Sequence, residues 1–253
     1  MSMLDEKIAK SLTAESVELI PYIPYLLQDL WELGSSPKDM LGLVKKNIAV
    51  TKETKVLDLA CGKGAVSVYI AKELGCKVKG IDIIPEFIDF AVSKAKEFGV
   101  NRLCDFIVQD INESVKKEKD YDIVIYGAVG NVLGDWYETI SLLKNTVKEG
   151  GFIIIDDAYG KNEADDKYLS KDKWLRLLAD GGVVLIDEIL STDDELAGIN
   201  DMQMESIEKR ANELKKKFPE KAWLFDSYIK SRQAECDEIE EDLMPVTMLL
   251  QVR

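Results

Sequence analysis

Val56-Leu57-Asp58-Leu59-Ala60-Cys61-Gly62-Lys63-Gly64-Ala65, with Asp82 following eighteen residues after Gly64, decides the fold of this chain. An apolar run meets an acid and then a glycine-punctuated turn. Val66-Ser67-Val68-Tyr69-Ile70-Ala71-Lys72 follows with helical spacing, so the segment reads as strand, tight loop and helix. Glycine lets backbone approach a ligand closely, and the free N–H groups of the helix start stand behind such a loop. Beyond Cys76, Val78-Lys79-Gly80-Ile81-Asp82 reads as a second strand ending in a carboxylate. An acid at that position of a strand-helix-strand unit accepts hydrogen bonds from a ribose diol, which points to a nucleoside-containing ligand.

The rest of the chain supports an α/β reading. Near-continuous apolar runs place further strands near 104–109, 121–126 and 151–156, as parallel strands covered on both faces require. Helices are expected over 84–98, with Pro85 early in the first turn, and over 137–147. After a polar loop at 160–166 come a helix at 170–179, a sixth strand at 183–189 and a seventh at 245–252. The N-terminal 50 residues read as helical, because Ile20, Ile23, Leu26, Leu27, Leu30 and Trp31 recur at three- and four-residue intervals. Ser36, Pro37 and Asp39 suit the cap and first turn of a second helix there. Residues 193–242 are charged and helix-forming, broken at Phe218-Pro219. Met202, Met204, Trp223 and Tyr228 recur there as an apolar stripe that calls for burial of one face. We expect one domain over 1–253: an N-terminal helical segment to 50, a ligand-binding core over 51–160, and C-terminal strands with a helical cap over 161–253.

Composition narrows the function. Lys and Arg number 33 against 47 Asp and Glu, a net charge of −14, which repels phosphate backbones and anionic lipid. The lysine groups at 45–46, 116–119 and 215–217 lie among acids and lack interleaved aromatics, so neither a nucleic acid nor a membrane is expected as partner. No apolar run approaches the length of a membrane span, and the first ten residues lack the core of a signal peptide. Cys61, Cys76, Cys104 and Cys236 show no C-x-x-C spacing and read as reduced packing residues, which suits the cytoplasm. The chain contains no histidine, so a Ser-His-Asp triad and a histidine base are excluded. A carboxylate, tyrosinate, lysine or water must take any proton.

Five motifs in order carry a family resemblance. Leu57-Asp58-Leu59-Ala60-Cys61-Gly62-Lys63-Gly64 and Gly80-Ile81-Asp82 resemble the first and second motifs of class I S-adenosylmethionine-dependent methyltransferases. Phe106-Ile107-Val108-Gln109-Asp110-Ile111 is similar to the third, Tyr121-Asp122-Ile123-Val124-Ile125-Tyr126-Gly127 to the fourth, and 147–156 to the turn into the fifth strand. The one departure is Ala60, where many members carry glycine. The resemblance implies a Rossmann-like, seven-stranded, mostly parallel sheet with helices on both faces, an antiparallel last strand, and strands six and seven around an antiparallel closing edge. A helical insert would precede that last strand. A nicotinamide dinucleotide loop, the competing reading of the same glycines, would want a third glycine where Ser67 stands.

The resemblance also implies roles. Ala60, Cys61, Gly62 and Gly64 would face the methionine part of the donor, and Asp82 its ribose. Ile83 and Ile84 would flank the adenine, and Asp110 with Ile111 would meet its amino end. The carbonyl of Tyr126 or Gly127 would face the donor amino group, whereas Asp58 would hold loop amides. No catalytic residue can be named. Asn131, Trp136 and Tyr159 occupy loops at strand carboxyl ends and are candidates for the acceptor, as are Tyr22 and Tyr25 of the N-terminal segment. The Asn/Asp-Pro-Pro-aromatic signature of base and glutamine methylation is absent. Asp156-Asp157 lacks the strand-four acid of the metal-dependent relatives, so no metal is expected. The reading is a methyltransferase for a small-molecule acceptor. Alternatives are a non-catalytic binder of S-adenosylmethionine or S-adenosylhomocysteine, and a protein or tRNA methyltransferase acting with a partner.

Overall fold

The computed structural model describes residues 3–162 and 167–253; residues 163–166 of the expected polar loop lie outside the described residues. The chain divides into two compact units. A sheet unit comprises Trp31–Leu190 and Pro245–Arg253, and a helical unit comprises Met1–Leu30 and Ser191–Met244.

Seven strands form the sheet: β1 (Lys55–Leu59), β2 (Lys77–Asp82), β3 (Cys104–Val108), β4 (Tyr121–Gly127), β5 (Val147–Gly160), β6 (Val183–Leu190) and β7 (Leu243–Val252). Their order is β3-β2-β1-β4-β5-β7-β6. β1 pairs in parallel with β2 and β4, β2 with β3, and β4 with β5. β7 is antiparallel to β6. β6 and β7 therefore make the antiparallel closing edge that the resemblance implied, with β7 lying between β5 and β6. Val246 to Leu250 are all buried, as an inner strand requires, whereas β6 is mostly half-exposed and carries Asp187 and Glu188, charges that suit an edge. β5 begins four residues early, at Val147, and its register against β4 shifts between Tyr121 and Ile123. Helix 137–147 accordingly stops at Lys144.

Two apolar clusters pack the two faces. One contains Leu57, Leu59, Val124, Tyr126, Ile153, Ile155, Tyr159 and Trp174; the other contains Val56, Ile123, Ile125 and Ile154 with Met40, Leu43 and Val68. Neighbours in sequence fall on opposite faces, the period-2 alternation of a strand. Each fully buried aliphatic side chain contributes about 1.5–3 kcal/mol.

The helical unit holds α1 (Met3–Ser11), a 3-10 turn (Val17–Tyr22), α2 (Ile23–Leu26), α9 (Asp193–Lys217) and α10 (Ala222–Asp242). The helix expected through 20–31 is thus replaced by short turns. Pro21 and Pro24 each lack an N–H and clash with the preceding turn, so no α-helix runs through them; α2 starts at Ile23-Pro24 and already ends at Leu26. α9 starts on a Thr192–Glu195 capping box and ends at Phe218, where Pro219 breaks it as expected. Gln203, Met204, Ile207, Ala211 and Leu214 form its buried stripe. Met202 and Trp223, expected in that stripe, are exposed, at 55% and 56%. Arg210 forks onto both oxygens of Asp29 at 2.6 and 2.7 Å, and Tyr22 packs edge-on against Phe218 and Phe225.

Candidate functional site at the carboxyl ends of the strands

The glycine loop after β1 turns through three left-handed residues: Ala60 at φ +58°, Gly62 at +51° and Gly64 at +72°. Gly64 opens α4 (Ala65–Leu74), and a Cβ on it would stand 2.7 Å from Cβ of Ala91 and 3.0 Å from the Phe106 ring. Only glycine satisfies both its dihedral angle and its space. Ala60 takes the same conformation at a cost of about 1–2 kcal/mol, which gives the sequence departure at that position a physical meaning. The loop is tied down by Cys61 N–H donating to Ile81 O (3.0 Å) and Gly64 N–H donating to Cys61 O (2.8 Å). Burial holds the Cys61 thiol well above its ordinary pKa, so it stays neutral. Lys63 is 3% exposed and sets its ammonium over the Phe90 ring at 4.7 Å.

The two acids of the first motifs sit differently from what the sequence suggested. Asp58 is buried and accepts the Ser67 hydroxyl at 2.6 Å; burial lifts its pKa to about 7, against that hydrogen bond. It braces α4 rather than the loop amides. Asp82 does the bracing: Oδ2 accepts Gly62 N–H at 2.8 Å and Oδ1 accepts Ile84 N–H at 2.9 Å. Burial raises its pKa while those backbone donors lower it. The Ile83 N–H is a further backbone donor to this carboxylate, whose two oxygens have four lone pairs between them, so acceptor capacity remains for a hydroxyl. Ile83 beside it is half-buried, whereas Ile84 is buried. Asp110 caps α6 (Ile111–Ser114), its Oδ1 accepting both Asn112 N–H groups at 2.9 Å, and Ile111 is buried in the core.

At β4 the side chain of Tyr126 is fully buried and donates to Gly130 O at 2.7 Å. Burial first, and Asp157 nearby, push its pKa well above that of an ordinary tyrosine, so the phenol stays protonated. Gly127 has no room for a Cβ, which would lie 2.3 Å from Ser35 Oγ. Ser35 belongs to a strap, residues 31–36, of which sequence reading placed Trp31 in the expected helix and Ser36 at a helix cap. Trp31 Nε1 donates to Lys63 O at 3.0 Å. Leu33 Cδ1 lies 3.3 Å from where a Gly62 Cβ would be, and Ser36 N–H donates to Asp156 Oδ2 at 3.3 Å. The strap thus runs over the ends of β1, β4 and β5 within the sheet unit. Ser36 also caps α3 (Pro37–Asn47) through Asp39 N–H, as the sequence indicated.

The acceptor candidates separate. Trp136 is half-buried at the start of α7 (Trp136–Lys144), edge-on to Tyr126 with 6.2 Å between ring centroids and 4.6 Å from Trp174. Asn131 is exposed in a 3-10 turn. Tyr159 is 1% exposed, and its hydroxyl donates to Glu188 at 2.7 Å, so it serves the core. Tyr22 packs on Phe218 and Phe225, and Tyr25 donates to Glu213 at 2.6 Å; these contacts lie inside the helical unit. Asp157, quoted in the sequence only as half of a failed metal pair, lies on the Tyr126 face. The signal was strand alternation, which needs the register to read. Among the described residues, no group of three or more acids or cysteines is placed to hold a metal. A surface pocket lined by Asn47, Thr54, Asp122 and Lys148 lies at the opposite ends of the strands. There Asp122 is already taken by Lys148 and by Lys55 N–H.

Comparison with known proteins gives the family and the fold. Residues 50–217 match the model of a methyltransferase domain. A ribosomal protein L11 methyltransferase from Dictyoglomus thermophilum is 30% identical over 129 residues, covering 51% of this chain and 40% of that protein. Norajmaline N-methyltransferase from Rauvolfia serpentina is 34% identical over 74 residues, 29% of this chain and 25% of that one. The chain therefore spans less than half the length of these relatives. In structure it is similar to a methyltransferase from Geobacter sulfurreducens solved with S-adenosyl-L-homocysteine. The TM-score is 0.77 at 20% identity, covering 92% of this chain and 98% of that one.

Proposed function

This chain belongs to the methyltransferase-domain family, and from that premise we propose that it transfers a methyl group from S-adenosylmethionine to a small-molecule acceptor. The residues fit the donor. The loop at 60–64 is packed so closely at Gly64 that only backbone fits, and the Asp82 carboxylate keeps acceptor capacity for the ribose hydroxyls. Asp110 keeps its Oδ2 outside the helix cap for the adenine end. The donor supplies an already activated methyl group, so the chain has chiefly to bind, align and exclude water. Alignment of the two reactants can contribute about 7–11 kcal/mol.

One observation carries the small-molecule reading: the strap of residues 31–36 roofs the glycine loop and the end of β4, through Trp31 on Lys63 and Ser35 against Gly127. A roofed site suits a compact acceptor, whereas a polymer needs an open rim. The net charge of −14 points the same way. Four free cysteines suit a reducing compartment, and a cytoplasmic place of action is part of the proposal; no described helix is long and apolar enough to cross a membrane.

The test is incubation with methyl-labelled S-adenosylmethionine and fractionated cell extract. Label should enter the low-molecular-weight fraction. Label confined to protein or RNA would replace the small-molecule reading, and donor binding with no turnover on any fraction would make the chain a non-catalytic binder.

A further inference from the structure

Asp156 and Asp157 are consecutive carboxylates at the end of β5, and the alternation of the strand sends them to opposite faces. Asp156 follows Ile154 to the α3 side, where it accepts Ser36 N–H at 3.3 Å and the Thr247 hydroxyl at 3.4 Å. It holds the strap. Asp157 follows Ile155 to the face of Tyr126, Trp136 and Trp174. Among the described residues it accepts one recorded bond, from Ala158 N–H at 2.8 Å, and pairs with no cation. Trp174 is fixed beside it by donating to Ala158 O at 3.2 Å. Of the three aromatic rings, Tyr126 and Trp174 are fully buried, which leaves Trp136 as the one with accessible surface. Burial pushes the Asp157 pKa up to about 6. A carboxylate without a cation on the same face as an accessible indole, with Tyr126 and Trp174 as shared neighbours, presents what an organic ammonium binds: a charged acceptor and a π face.

On the reading of the chain as a small-molecule methyltransferase, we propose that the acceptor is an amine, with Asp157 binding its nitrogen and taking its proton while Trp136 covers its apolar body. The ammonium gives one proton to an Asp157 oxygen, and the freed lone pair on nitrogen forms the new N–C bond. The carbon–sulfur electron pair leaves with the thioether, and the proton on Asp157 passes to water. With no histidine in the chain, a carboxylate, tyrosinate, lysine or water must fill this role, and Asp157 is the carboxylate on this aromatic face.

The test is calorimetric and needs no turnover. The protein is first saturated with S-adenosylhomocysteine, then titrated with 2-phenylethylammonium and separately with 2-phenylethanol, which matches it in shape but lacks the charge. The amine should bind about ten- to a hundredfold more tightly, the range of one charged hydrogen bond. D157N should bring the two ligands together while leaving S-adenosylhomocysteine affinity unchanged. Equal affinities in the unmodified protein, no detectable amine binding, or a preference that survives in D157N would overturn the proposal. Failure of S-adenosylhomocysteine itself to bind would instead overturn the donor reading, so the two failures are distinguishable.

Discussion

Asp82→Ala should weaken S-adenosylhomocysteine binding by at least about a hundredfold. A carboxylate that accepts ribose hydroxyls contributes about 1.5–3 kcal/mol per charged hydrogen bond, and two such bonds are available. The same side chain also holds Gly62 N–H at 2.8 Å and Ile84 N–H at 2.9 Å. Alanine orphans both amides, so the glycine loop and the start of α5 (Pro85–Glu97) lose their common anchor. Thermal stability should fall together with affinity. Asp82→Asn should lie between, since its amide can accept one backbone N–H but turns an NH2 toward the other. Isothermal titration alongside thermal melts would read both effects, and an unchanged affinity in the alanine variant would remove Asp82 from the site.

Folding stability should decrease as pH rises from about 5 to 8. Burial lifts Asp58 and Asp156 to about 7 and Asp157 to about 6, against an ordinary aspartate near 4. Within that window the folded chain retains protons that the unfolded chain has released, so ionisation favours unfolding. The slope is up to about 1.4 kcal/mol per pH unit for each group. Repulsion within a chain of net charge −14 adds to the trend. Desolvation is the largest single influence on Glu118 and Asp122 and raises both, but Lys79 with the Tyr121 hydroxyl, and Lys148 with Lys55 N–H, together outweigh it and hold them below the usual carboxylate range. Their stabilisation is present at neutral pH and lost in acid. The optimum therefore lies in mildly acidic solution. Urea midpoints across pH 4 to 8 would show it, and Asp58→Asn, which still accepts from Ser67, should flatten the slope between 5 and 7. A midpoint that rises through this window would contradict the assignment of these three acids.

Much of this was legible in the sequence because local pattern and fold agree. Val56 to Leu59 is apolar on both faces except for Asp58, and Gly62 and Gly64 have left-handed dihedral angles that punctuate a strand-to-helix turn, so β1, the loop and α4 follow from composition alone. Ser36-Pro37 and the break at Pro219 were equally local. What escaped depends on distant partners. Periodicity through Ile20 and Trp31 promised a helix of which only Ile23–Leu26 forms, after Pro21 and Pro24 bar the turns before them. Nothing in residues 245–252 says that this strand inserts between β5 and β6. The separate duties of Asp156 and Asp157 become visible only once the register of β5 against β4 is known. The strap at 31–36 has no periodicity to announce it, because its contacts are single bonds to Lys63 and Asp156.

Hydrogen exchange with and without S-adenosylhomocysteine tests most directly where the donor binds. We expect protection of the backbone at 60–64, 82–84, 110–112 and 126–128, the carboxyl ends of β1 through β4. No change is expected in the pocket at the opposite end, around Asn47, Thr54 and Lys148. Protection confined to that opposite end, or none at 60–64 with the ligand in large excess, would contradict the site.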